Sequence, residues 1–350
     1  MNQKSLVRRL VGIAGAGALA LTPLALVAAP ATAAPFAGQL QKQTTFSATG
    51  TGCSVSPGTT SPTTNFVAGA PVSLAQSEST NGVGPTGPDT AQLSAALGGS
   101  FVAHESGGAL TDFSADATAA TSVNRALGAA SACTWNSTAI ALVTGTLTSN
   151  GGLWDVNVKL FGSGTGVVQL IFIKTGNPLA SQNVVAHIGG AARTHTLVSL
   201  APGDYTLQVV VEAVSSGTNT ANQPTPTSNA HAIVNGVFRG FGVADGPATG
   251  DGTKYLDLAN GLTCASHSLK ADFKKKAGKK AKKGKKPVIT KAVFFVNDAK
   301  VKTVKKPNKN TTVTLSGLPD TDTLDVSAQL TLSGKGKGKV TVERSYLPCS

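Results

Sequence analysis

Histidine, tyrosine and tryptophan are scarce in this chain, at five, three and two among 350 residues. His104, His187, His195, His231 and His267 stand in no H-E-x-x-H or comparable ligand spacing, so metalloprotease chemistry has no signature here, and each reads as a solvated or hydrogen-bonded structural histidine. No G-x-S-x-G elbow occurs. Gly162-Ser163-Gly164-Thr165-Gly166 has the wrong register and no helix after it, so it reads as a turn, neither a nucleophile elbow nor a dinucleotide fingerprint. The few aromatics give little for a carbohydrate platform: Trp154 falls on the apolar face of its strand, and Trp135 stands two residues from Cys133. Only 13% of residues are charged, and acids such as Asp112 and Asp116 form no designated catalytic pair. Asp320, Asp322 and Asp325 lack the glycine and bidentate glutamate of a calcium loop and read as turn acids. Segments with helical periodicity are also missing. These absences predict a protein without catalysis, cofactor or metal.

What is present begins at the N-terminus. Lys4, Arg8 and Arg9 lead into an apolar run from Leu10 to Ala29, followed by Ala31-Thr32-Ala33. Pro23 inside the run and the small residues at its end predict a cleaved secretory signal over residues 1–33 rather than a membrane span. No second run of spanning length follows, so no transmembrane segment is expected, and the protein is expected to be extracellular or associated with the cell envelope.

An oxidising compartment makes disulfides the first reading of the four cysteines, which have no C-x-x-C spacing. Bonds Cys53 to Cys133 and Cys264 to Cys349 are expected because each would bracket one module, although four cysteines permit three pairings.

The net charge of +13 is unevenly distributed. Residues 34–260 carry −4 and residues 261–350 carry +14, the leader adding +3. The densest run holds nine lysines, Lys274, Lys275, Lys276, Lys279, Lys280, Lys282, Lys283, Lys285 and Lys286, with alanine and glycine between them. Such a segment cannot bury a core and reads as a solvated loop. Export argues against nucleic acid as its physiological partner, and the run lacks the interleaved aromatics of single-strand binders. Anionic cell-wall polymer, acidic polysaccharide or lipid headgroups are the partners it would reach, with another surface protein as a further candidate.

The strand signal is strongest at Leu324–Leu332, where every even residue is apolar and every odd one polar. Val288–Val296, Thr311–Leu315 and Lys339–Tyr346 accompany it, and Leu269–Phe273 precedes the lysines. Further upstream, Trp154, Val156, Val158 and Leu160 alternate with polar residues. Val167–Ile173 reads as a strand buried on both faces, and Tyr205, Leu207, Val209 and Val211 follow a tight turn at Pro202-Gly203. The Ala- and Ser-rich stretches Thr44–Thr49, Asn65–Ala75, Ala91–Ala103 and Ala109–Ala119 complete the list of strands. The fold expected is all-β: two or three immunoglobulin-like sandwiches in tandem, over residues 36–145, 146–247 and 262–350, with a linker at 248–261. Residues 36–247 read equally well as one large sandwich.

Val293-Phe294-Phe295-Val296-Asn297-Asp298, Lys302-Thr303-Val304, Thr312 to Pro319 and Arg344 to Cys349 resemble the C-terminal bacterial immunoglobulin-like module of secreted Gram-positive surface proteins. Leu200 to Val209 is similar to the turn-plus-tyrosine strand of prepeptidase-type sandwiches, in which the hydroxyl returns to backbone at the corner. The first resemblance implies a stalk, spacer or adhesive role, and both imply fold more than activity.

Overall fold

A computed structural model of the protein describes residues 36–56, 63–86, 89–106, 109–126, 133–188, 193–218, 225–274, 287–308, 310–320, 322–334 and 338–349. The leader and Lys275–Lys286 lie outside these residues. The fold is all-β, built from antiparallel sheets.

Eleven strands form the first sheet: β1 (Ala37–Thr49), β2 (Ser54–Val55), β3 (Thr63–Val67), β4 (Val72–Val83), β5 (Thr90–Ser106), β6 (Ala109–Arg125), β7 (Thr134–Ser163), β8 (Thr165–Lys174), β9 (Gln182–His187), β10 (Arg193–Thr218) and β11 (Thr227–Arg239). Its order is β2-β4-β5-β6-β11-β7-β10-β8-β9, with β1 pairing both β3 and β7. The first half of β7 pairs with β1 and its second half with β11, while β10 lies along both halves. Strands that are not neighbours in this sheet nevertheless meet through their side chains. Ser137 Oγ donates to Ser94 O at 2.8 Å, Thr121 Oγ1 lies 2.7 Å from Ser215 Oγ, and Lys42 Nζ donates to Leu97 O at 3.1 Å. The sheet therefore rolls over on itself, and its inner face is the core.

That core is thin because its residues are small. Ala95, Ala115, Ala117, Ala119, Ala139 and Ala141 fill the middle, while bulk is concentrated in an aromatic series through Phe36, Phe66, Phe101, Phe113, Trp154 and Phe172, with centroids 4.8 to 6.2 Å apart. Contacts of this kind add to simple area burial. Trp154 and Trp135 are both buried, the first as its alternation predicts.

Several sequence expectations change. The boundary at 145/146 falls inside β7, which runs through it unbroken, and residues on both sides share one buried cluster from Phe36 to Val234. Alanine-rich strands offer too little apolar bulk to close a core separately, and a shared 30-residue strand removes the need. Asn65–Ala75 is two strands, β3 and β4, separated by a turn in which Gly69 takes φ 91°. Val167–Ile173 alternates between buried and half-buried positions rather than being buried on both faces. Pro202-Gly203 is not a turn between strands but lies inside β10, opposite Asn150 and Ser149 and next to Gly151 and Gly152, where β7 takes positive φ values. The Tyr205 hydroxyl returns to the Ala201 carbonyl at 3.0 Å.

The C-terminal part has its own core. β12 (Leu256–Leu258), β13 (Ser268–Phe273) and β16 (Thr312–Ser316) form one sheet, and β15 (Ala299–Lys305), β14 (Val288–Val296), β17 (Leu324–Ser333) and β18 (Gly338–Tyr346) form another in that order. Asn297 and Asp298, both at positive φ, make the β14–β15 turn that their sequence predicts. Residues 248–261, expected as a linker, belong to this unit. Leu256 and Leu258 are fully buried, and Thr249 bridges to Glu343. Arg344 donates to Gly246 O, Leu258 O and Asn260 Oδ1 at 2.8 to 2.9 Å. The guanidinium thus ties this segment to β18.

Candidate functional site

Both cysteine pairs are bonded as the bracketing predicts, Cys53 to Cys133 and Cys264 to Cys349, with Cα separations of 5.8 and 5.3 Å. Each closes a long loop, over sequence separations of 80 and 85 residues. The second ring encloses β13 to β18 and the lysine-rich connection.

Of the nine lysines singled out in that connection, Lys274 alone is among the described residues. It is exposed, with Nζ donating to Thr253 O at 2.8 Å and lying 3.8 Å from Asp257. The strands that follow add a basic face that the sequence reading did not single out. Register sets Lys305 opposite Lys291, Lys291 opposite Thr331, and Thr331 opposite Lys339. Three exposed lysines thus stand in one row across all four strands, with a threonine between two of them. Strands spaced ~4.8 Å apart make the row ~14 Å long. Among the described residues no carboxylate comes within 4.0 Å of these three ammonium groups. Period-two alternation implied that these side chains face outward, but the row depends on register, which the sequence does not carry.

The large sheet carries a second polar arrangement on its outer face. His104 Nδ1 lies 2.6 Å from Asp112 Oδ1, His195 Nε2 lies 2.6 Å from Asp155 Oδ1, and His231 Nε2 lies 2.8 Å from Asp116 Oδ1. Arg239 approaches Asp155 at 3.7 Å. Asp112, Val237 and Asp155 are direct neighbours on successive strands, and the exposed Phe161 ring packs 5.9 Å from His231. The histidines are hydrogen-bonded and solvated, as expected. The His–Asp pairing went unread because each partner is on another strand. His104 and Asp112 flank one hairpin, and that symmetry was the one available signal. Among the described residues no hydroxyl or thiol bonds to the three rings. No group of three metal-ligating side chains occurs among them either, including around Asp320 and Asp325. Asp325 instead accepts from Ser345 Oγ at 2.5 Å, and His267 lies 3.8 Å from Asp320.

Among the described residues no helix is long and apolar enough to cross a membrane. No protein-family model matches the chain, and no curated protein does. One solved structure, the adhesin domain of Epf from Streptococcus pyogenes, aligns over 68% of this chain and 80% of that one at 11% identity, with a TM-score of 0.17. That score is too low for the alignment to support any argument about this protein.

Proposed function

We propose that this is a secreted, non-catalytic structural or adhesive protein whose basic C-terminal sandwich contacts anionic polymers of the cell envelope. The observation that carries this reading is the row Lys305, Lys291, Lys339, whose ammonium groups face outward with no acidic partner nearby among the described residues. The row lies at the end of the sheet where β14 begins, directly after the lysine-rich connection in the chain. Lysines presented on a rigid sheet, joined by those on the connection, offer many weak contacts to a repeating polyanion, each gaining up to ~1 kcal/mol near a charged surface. The immunoglobulin-like resemblance of residues 262–350 fits a module that presents surface. The two disulfides fit an oxidising compartment.

A second reading, an accessory protein that binds a protein or glycan, draws on the outer face of the large sheet. There Phe161 and Val237 are 43% and 44% exposed beside the His–Asp pairs.

The test is retention of the purified protein on isolated cell envelopes as salt is raised. Two variants accompany it: Lys291, Lys305 and Lys339 all changed to Gln, and the lysines of 274–286 neutralised. Screening acts over ~8 Å at physiological ionic strength, so retention should fall steeply with salt and be weaker for both variants. Equal retention of all three proteins would dispose of the polyanion reading. Salt-independent retention that a Phe161→Ser change abolishes would favour the second.

A further inference from the structure

Lys42 is drawn fully into the interior of the large sheet, at 0% exposure. It sits on β1 between Leu40 and Thr44, and Nζ reaches the backbone carbonyl of Leu97 on β5. In the ladder, Leu97 stands directly opposite Gln76 of β4. Two residues further along each strand, Thr44 on β1 donates to Glu78 Oε2, and the other oxygen of the same carboxylate accepts from Gln76 Nε2. β1 therefore faces β4 and β5 across the interior: Lys42 reaches the carbonyl of the residue paired with Gln76, and Thr44 reaches Glu78. Gln76 Oε1 is buried and has no hydrogen-bond partner among the described residues.

We propose that Lys42 and Gln76 condense into an intramolecular isopeptide bond that ties β1 to β4, with Glu78 carrying the proton. The Nζ lone pair adds to Gln76 Cδ, the Cδ–Nε2 bond breaks, and Nε2 leaves as ammonia. The proton that Nζ loses passes through the Glu78 carboxylate to Nε2, to which that carboxylate is already hydrogen-bonded. One amide replaces another, so no oxidant, reductant or co-reactant is needed.

Three physical conditions favour the step. An amine attacks only when neutral, and burial lowers Lys42 to about 8 from an ordinary value of 10.5. The fold hydrogen-bonds carboxamide to acid and fixes the amine on the carbonyl of the residue paired with Gln76, which replaces a bimolecular encounter by a local one. Glu78 is placed on the same face of β4 as Gln76 and already accepts from the nitrogen that leaves. The product removes a buried charge and joins strands on the two facing layers.

Intact mass of the purified full chain, with both disulfides reduced, should fall short of the mature sequence by one ammonia. Lys42 is the single tryptic position between Arg9 and Arg125, so trypsin should leave the denatured chain uncut there. Gln76→Leu and Lys42→Met should each restore the missing ammonia, and Gln76→Leu should restore cleavage after Lys42. Glu78→Gln should fold yet retain most of the ammonia. Folded wild-type protein at full mass with cleavage after Lys42 would overturn the proposal. So would an ammonia loss that persists in Gln76→Leu, whose near-isosteric side chain keeps the test available should Lys42→Met fail to fold.

Discussion

Gly82 on β4 lies flat against the indole of Trp135 on β7, so closely that a Cβ at residue 82 would fall 2.3 Å from Cζ3 of the ring. Trp135 is fully buried, two residues along the chain from the Cys53–Cys133 bond. Gly82→Ala should therefore destabilise the large sandwich by ~1–3 kcal/mol through overpacking. Urea unfolding followed by tryptophan fluorescence measures it, and an unchanged midpoint would show that the ring yields.

Arg344 is the clamp that makes 246–260 part of the C-terminal sandwich. Arg344→Met keeps most of the aliphatic stem but abandons the carbonyls of Gly246 and Leu258. The expected loss is ~1.5–3 kcal/mol, together with faster amide exchange through residues 246–260. Exchange confined to the substituted strand would contradict the clamp.

Replacing Cys264 and Cys349 together by Ser should cost up to about 4–5 kcal/mol in the chain-entropy treatment, less any strain the bond imposes. Because the C-terminal core is distinct from the large one, the loss should appear in the unfolding of residues 255–346. Hydrogen exchange resolved along the chain distinguishes that outcome from a uniform loss.

Stability should depend on pH through Lys42 only where its amine is free. Gln76→Leu leaves the amine free, and burial lowers a free amine at this position to about 8 in the folded chain, against 10.5 unfolded. Between these values the unfolded chain binds more protons, so stability should rise with pH, by up to ~1.4 kcal/mol per unit. Below about 8 both states hold the proton and this contribution is flat. Wild-type protein, its amine converted to an amide, should show no such rise. Denaturant titrations at several pH values between 7 and 10.5 compare the two, the upper limit being the ordinary lysine value.

Much of the fold is legible in the order of residues. The alternation from Leu324 to Leu332 places alternate side chains on a core, and the structure buries every even-numbered one. The disulfide pairing followed from bracketing, and the Asn297-Asp298 turn from residues that tolerate positive φ. The candidate site was legible only as composition. Lysine abundance in the last quarter was plain, but the row through Lys305, Lys291 and Lys339 needs β14, β15, β17 and β18 in register.

Strand character and charge asymmetry are properties of local sequence, because a period of two and a run of lysines act over a few residues. Which faces meet is not local. β1 reads as polar along most of its length, and nothing near Lys42 marks it as interior. It is buried because β7 and β10 carry the sheet around and set β4 and β5 over it. The same closure brought Lys42 to the Leu97 carbonyl and Thr44 to Glu78, and strand pairing set Asp116 against His231 and Asp155 against His195. Tertiary structure decided these because a small side chain fits many partners, and only the register of long strands, summed over dozens of backbone hydrogen bonds, selects one.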